Sequence, residues 1–144
     1  MNLFGMLELS GSALGAERQR AEVVASNMAN SQTTRTPAGG PYRRQLVIFQ
    51  SQRTPRFSLA LSGMRREHSS AVRVAAVVAD QRPPLMRFDP GHPDANAQGY
   101  VAFPQVDPIE EMTDLLGAVR AYQLNASAVQ ATKNMIQQSL DLLR

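Results

Sequence analysis

Toward the C-terminus, apolar residues recur at alternating steps of three and four: Met112, Leu115, Val119, Tyr122, Ala126, Val129, Ile136, Leu140 and Leu143. Lys133 is the one charged position in that series. Such steps keep one stripe of a 3.6-residue helix apolar, and over several heptads they form the seam of a coiled coil. Asp107-Pro108 supplies the start, a capping carboxylate followed by a proline at the first helical position, where no amide donor is needed. Glu110, Glu111 and Asp114 fall in the first turns, where the helix dipole favours anions, and Arg144 falls at the end that favours cations. A helix of roughly 35 residues makes a rod of about 50 Å. Such a rod needs a packing partner along its length.

The N-terminal stretch answers it. Leu3, Leu7, Leu14, Ala21, Val24 and Met28 follow the same stepping, interrupted by Ser10 and Glu17. Gly5, Gly11 and Gly15 each cost about 1 kcal/mol relative to Ala inside a helix. This first helix is therefore the weaker of the two and is expected to be poorly ordered on its own. It stops near Asn30, ahead of the polar residues 31–34. Pairing the two stripes with each other, as an antiparallel coiled coil of residues 1–30 and 107–144, satisfies both.

The middle of the chain has another rhythm. Thr36-Pro37-Ala38-Gly39-Gly40-Pro41 is a cluster of turn formers through which no helix continues. Residues 45–50 and 71–80 are rich in β-branched and apolar residues and predict strands, as do 99–103 before Pro104. Residues 51–70, rich in Arg and Ser, predict a loop or hairpin tip, and 88–93 a second turn cluster. The expected fold is mainly α with a small β-rich insert over 31–106.

Composition sharpens this picture. The 144 residues include no Cys and no Trp, and aromatics make up 6%. Disulfides and thiolate metal sites are excluded, and a thin architecture is favoured over a thick aromatic core. No run of 18 apolar residues spans a membrane, and the N-terminus lacks the basic start of a cleaved signal. The net charge of +3 is unevenly placed. Residues 35–88 carry ten Arg against Glu67 and Asp80, whereas 89–144 carry three basic against seven acidic groups. A basic middle can pair with acidic surfaces of other subunits, or it can simply be solvated.

Chemistry is harder to find. His68 and His92 lack ligands at metal-binding spacing, and His92, bracketed by prolines, reads as a hydrogen-bonding turn residue. The small residues Ser10-Gly11-Ser12 suit close helix packing. Gly39-Gly40 lacks the following Lys of a phosphate loop, and Glu110-Glu111 begin a helix pointing to different sides. Arg43-Arg44 and Arg65-Arg66 could touch phosphates, yet few aromatic residues are interleaved for base stacking. No catalytic residue, cofactor or metal site, small-molecule substrate or nucleic-acid partner is expected.

Several stretches together carry a resemblance. Ser10-Gly11-Ser12-Ala13-Leu14 through Asn27-Met28-Ala29-Asn30, ending in Ala29-Asn30-Ser31-Gln32-Thr33, resembles the N-terminal signature of bacterial flagellar rod and hook proteins. Thr34 through Arg44 and Asp89 through Ala95 leading into Gly99-Tyr100-Val101 are similar to the proximal rod members, and Glu110 through Asn125 to the family's C-terminal signature. Gln105 departs from the Asn usual there, and residues 51–70 match no motif. The resemblance implies a structural subunit of the basal-body rod, exported through the flagellar type III apparatus without a cleaved signal. It further implies self-association in a helical assembly crossing the periplasm around the export channel, beside other rod subunits and the rod base adaptor. The expected interface residues are the two stripes: Leu3, Leu7, Leu14, Val24 and Met28 on one helix, and Met112, Leu115, Val119, Tyr122, Val129, Ile136, Leu140 and Leu143 on the other. A distal rod or hook component, a nucleic-acid-binding module and an enzyme are the alternatives.

Overall fold

A computed structural model describes residues 3–54 and 69–142 of the chain. Among the described residues six elements follow in order: helix α1 (Leu3–Ala29), strands β1 (Gln45–Thr54), β2 (Ser69–Ala79), β3 (Leu85–Phe88) and β4 (Tyr100–Phe103), and helix α2 (Pro108–Asp141). β1 pairs with β2 and β3 with β4, each pair a separate two-stranded sheet. Helices at both ends with small strands between them agree with the sequence reading. Strands β1 and β2 run further into the Arg- and Ser-rich region than expected, to Thr54 and from Ser69. The tip itself, and with it Arg65-Arg66 and His68, lies outside the described residues.

The helix ends have visible causes. Asp107 caps α2 as expected: its Oδ1 accepts from the Ile109 amide at 2.9 Å, and its carbonyl accepts from Glu111 at 3.0 Å. α1 ends without a glycine. Instead Asn30 Nδ2 donates to the Ser26 carbonyl and Ser31 Oγ to the Met28 carbonyl, satisfying carbonyls that the helix leaves open. Thr33 Oγ1 then donates to Asn30 Oδ1, so the polar motif after Ala29 is a side-chain stop signal.

The chain forms two compact units. One draws on α1 up to Gln19, β1 from Phe49, β2 up to Ala75 and α2 from Ala118; the other comprises Arg20–Ile48 and Ala76–Gly117. In the first, Ala16 and Ala118 are buried. There Ser12 Oγ donates to the Leu9 carbonyl at 2.7 Å and accepts from the Val72 amide at 3.0 Å, tying α1 to β2.

In the second unit, Val24, Val101 and Phe103 are the buried apolar residues. β3 and β4 run antiparallel, with Leu85 opposite Phe103, Arg87 opposite Val101 and Phe88 opposite Tyr100. The Arg87 guanidinium sits 3.9 Å from the centroid of the Phe103 ring, its diagonal neighbour, while His92 approaches the same ring edge-on. His92 Nδ1 also accepts from the Asp94 amide, the turn role expected for it. β3 was not expected, and Phe88 was placed in a turn. Pro83-Pro84 and the brevity of Leu85–Phe88 hide the strand, which exists because β4 offers it a ladder.

Candidate functional site

The second unit is organised around a buried polar junction. Asn27, in the last turns of α1, is buried, and all four of its hydrogen-bonding positions are used. Its Nδ2 donates to the Gln45 carbonyl at 2.9 Å and to Glu111 Oε2 at 3.0 Å. Its Oδ1 accepts from the Gln45 amide at 2.8 Å and from the Tyr42 hydroxyl at 3.0 Å. An Asn amide carries two donors and one oxygen with two lone pairs, so nothing remains unpaired. The first residue of β1 is thus bound to α1 much as it would be to a neighbouring strand.

Arg44 completes the junction. Its Nε donates to Glu111 Oε1, and its Nη2 lies 3.3 Å from Glu110 and 3.8 Å from Asp114. Asp114 also meets Arg20 of α1 at 3.4 Å. Extended backbone turns successive side chains to opposite sides, which sends Arg44 inward and leaves Arg43 exposed. Burial works against the Arg44 charge, but its hydrogen bond to Glu111 and the attraction of Glu111 and Glu110 outweigh it, and its pKa is raised. Along α1, position 27 meets 111 and position 20 meets 114, so the helices are antiparallel where they touch.

The donors of this arrangement face acceptors within the chain. Among the described residues no His, Cys, Asp and Glu group could hold a metal ion, and no helix is long and apolar enough to cross a membrane. What the junction does is fix three chain segments to one another: the end of α1, the start of β1 and the start of α2.

The expected seam residues divide. Val24 is buried, and Leu3, Leu7, Leu14, Leu115, Val129 and Ile136 are half-buried. Met28, Met112, Val119, Tyr122 and Leu140 are exposed in the single chain, and Leu143 lies outside the described residues. The buried positions of α2 are instead Glu111, Ala118 and Thr132, with half-buried Asn125 completing a seven-residue repeat. Glu111 is held by Asn27 and Arg44, whereas the other two polar residues bond within the helix: Asn125 Nδ2 donates to the Ala121 carbonyl and Thr132 Oγ1 to the Ala128 carbonyl. The inward face is built of small and internally bonded residues, which permit close approach, and many of the large apolar residues point outward. Leu140 and Ile136 line an open groove with Lys133, Gln137 and Asp141.

Asn27, Arg44 and Glu111 were missed as a group. Two signals were present: a polar residue three positions after Val24, and the heptad spacing of Glu111, Ala118, Asn125 and Thr132. A template that admits only apolar residues at seam positions passes over both.

Comparison with known proteins gives consistent matches at both ends and over the whole length. A family model described as flagella basal body rod protein matches residues 7–35, and one described as flagellar basal body rod FlgEFG protein C-terminal matches residues 97–142. The flagellar basal-body rod protein FlgC of Bacillus subtilis is 40% identical, with 99% of each chain aligned. That of Borreliella burgdorferi is 36% identical over 100% of this chain and 99% of its own. That of Salmonella typhimurium is 36% identical over 99% and 98%.

Proposed function

From the premise that the chain belongs to the family of flagellar basal-body rod proteins, we propose that its copies pack helically into a periplasm-spanning drive shaft. The chain is a structural subunit of the flagellar basal-body rod, not an enzyme, and it serves motility in association with other rod components. In the assembled subunit the terminal segments, 1–30 and 107–144, pair as an antiparallel coiled coil lining the export channel, and the insert 31–106 contacts neighbours. The stripe residues from Leu3 to Met28 and from Met112 to Leu143 form the helix seams and subunit interfaces. The rod base adaptor and the type III export apparatus complete the partners, and the chain leaves the cytoplasm without a cleaved signal. The observation that carries this reading is the full-length identity of 36–40% to FlgC proteins. The exposed apolar residues of α2, among them Met112, Val119, Tyr122 and Leu140, support it, because a subunit keeps such groups for its neighbours.

The C-terminal family model, described for FlgEFG, favours a second reading as another axial component of distal rod or hook type. Deleting the gene and imaging basal bodies by electron microscopy, with complementation, separates the two. The rod reading expects basal bodies that stop at the membrane ring and cells that do not swim. Intact flagella and normal swimming would overturn it, and a rod lacking only its distal part or hook would favour the second reading. Complementation with Leu140→Asp tests the seam: Leu140 is 61% exposed in the single chain, so the subunit stays folded while assembly is lost. Normal swimming with that variant removes Leu140 from the interface.

A further inference from the structure

Resting on the rod reading, we propose that the loop 35–43 of one copy docks on the first turns of α2 of a second copy. Both surfaces belong to the second compact unit. Ile109, Met112 and Leu116 step by three and four, so they share one face of α2, and all three are exposed, Ile109 at 77%. Glu110 follows Ile109, about 100° around the helix, and is 58% exposed despite its contact with Arg44. The start of α2 is therefore an apolar strip with one exposed carboxylate in its first turn.

The loop is its complement. Pro37 and Ala38 are exposed apolar residues at its tip, flanked by exposed Arg35 and Arg43. Arg35 only grazes Asp94, at 3.8 Å with its side chain 81% exposed, and so keeps most of its charge for a partner.

The loop is also held in shape in the single chain. The Thr36 amide donates to the Gly40 carbonyl, and the Gly39 amide to the Thr36 carbonyl, each at 2.9 Å. Thr34 Oγ1 donates to Asp94 at 2.7 Å, and the Tyr42 amide closes the base on the Thr33 carbonyl at 3.0 Å. Gly39 and Gly40 both sit at positive φ, 88° and 74°, where a side chain would be strained. A surface loop so constrained loses little conformational freedom on docking, which favours binding.

The occupant is a second copy for a reason of symmetry as well as charge. The two surfaces consist of different residues of the same chain, so their contact is head-to-tail. Repeated head-to-tail contacts generate open helical assemblies, whereas a self-matching patch closes at a dimer.

The chain has no cysteine, so introduced thiols are its only ones. Ala38→Cys and Met112→Cys are expressed separately and together, as single variants of the full-length chain, in cells lacking the native gene. Basal bodies are then purified and oxidised. A disulfide forms only where Cα atoms come within about 7 Å. Co-expression is expected to give a cross-linked product of twice the chain mass, and either variant alone none. Swimming cells whose basal bodies contain both variants without that product overturn the docking while leaving the rod reading intact. Self-cross-linking of Met112→Cys alone, or a product of another mass, also overturns it. Absence of the chain from purified basal bodies defeats the rod reading instead. Where Met112→Cys does not support swimming, Leu116→Cys with Pro37→Cys poses the same question.

Discussion

Replacing Glu111 by Gln keeps the size and shape of the side chain, and on sequence grounds it changes little. A first-turn Glu is worth about 0.3–1 kcal/mol through the helix dipole. The junction gives a different figure. Glu111 is 0% exposed, and both its oxygens accept, one from Arg44 Nε and the other from Asn27 Nδ2 at 3.0 Å. Gln offers one oxygen and one amide, so whichever way it turns, an amide donor faces another donor. The lost hydrogen bond to a charged group is worth about 1.5–3 kcal/mol, and a buried donor without a partner costs about 1–3 kcal/mol more. Glu110 and Asp114 still reach the guanidinium but are well exposed, and exposed pairs recover about 1 kcal/mol at most. The net cost is about 3 kcal/mol. With a urea dependence of about 2 kcal/mol per molar, the unfolding midpoint of the purified chain, followed by far-UV circular dichroism, should fall by about 1.5 M. Glu110→Gln, one residue away and 58% exposed, should shift it by less than a third of that. Equal shifts for the two variants, or a Glu111→Gln cost under about 1 kcal/mol, would show that the junction does not hold the unit together.

Two more predictions concern turns. Gly99 sits at φ +79°, and a Cβ there would lie 2.9 Å from Phe88 Cε2 and 3.3 Å from Pro90 Cβ. Gly99→Ala should therefore cost about 2–4 kcal/mol, through the left-handed backbone and a displaced Phe88. The thermal midpoint checks it against Gly91→Ala, whose Cβ meets nothing nearer than 3.9 Å and should be close to neutral; similar losses would refute the argument. The Arg82 amide, and then the Arg82 guanidinium, hydrogen-bond to Asp80 and hold its carboxyl below the usual carboxylate range. A folded pKa below the unfolded one means that this contribution is complete above about pH 4 and is lost as pH falls through the folded value. An NMR titration of Asp80 should show a midpoint below about 3.9 that rises in Arg82→Ala; a midpoint at or above the ordinary value refutes it.

What could be read in the sequence was whatever is decided locally. Asp107-Pro108 starts α2 because a cap and a first-turn proline act within one turn, and Asn30-Ser31 stop α1 for the same reason. The paired strands β1 and β2 announce themselves through β-branched residues, while β3 does not, since its pairing with β4 is made across the turn-rich 89–99. The face of α2 that the single chain buries is not its most apolar one, because burial follows size and fit as well as hydrophobicity. Ala118 and Thr132 are buried because they are small, and Met112 and Val119 are exposed although they are apolar. The junction joins positions 27, 44 and 111, far apart in the chain, and the polar residue three positions after Val24 and the heptad spacing from Glu111 each point to it only weakly. The resemblance in the terminal motifs identified the family where local physics could not.

A buried polar junction together with large apolar residues left exposed suits a subunit better than a solitary domain. Buried ion pairs add little net stability over apolar packing, but they penalise every alternative arrangement that leaves a charge unpaired. Asn27, Arg44 and Glu111 use their polar groups on named partners, so a small slide of α2 along α1 would break several bonds at once. In a helical polymer, an angular error within one subunit is repeated at every position and accumulates along the assembly. A junction that tolerates one geometry limits that error, and an apolar core of Val24, Val101 and Phe103 alone would tolerate several. The large apolar residues left outside, Ile109, Leu124 and Leu140 among the most exposed, are a solubility liability for a free chain. On the proposed packing they would be covered by neighbouring subunits, while the buried charges would hold each subunit to one shape.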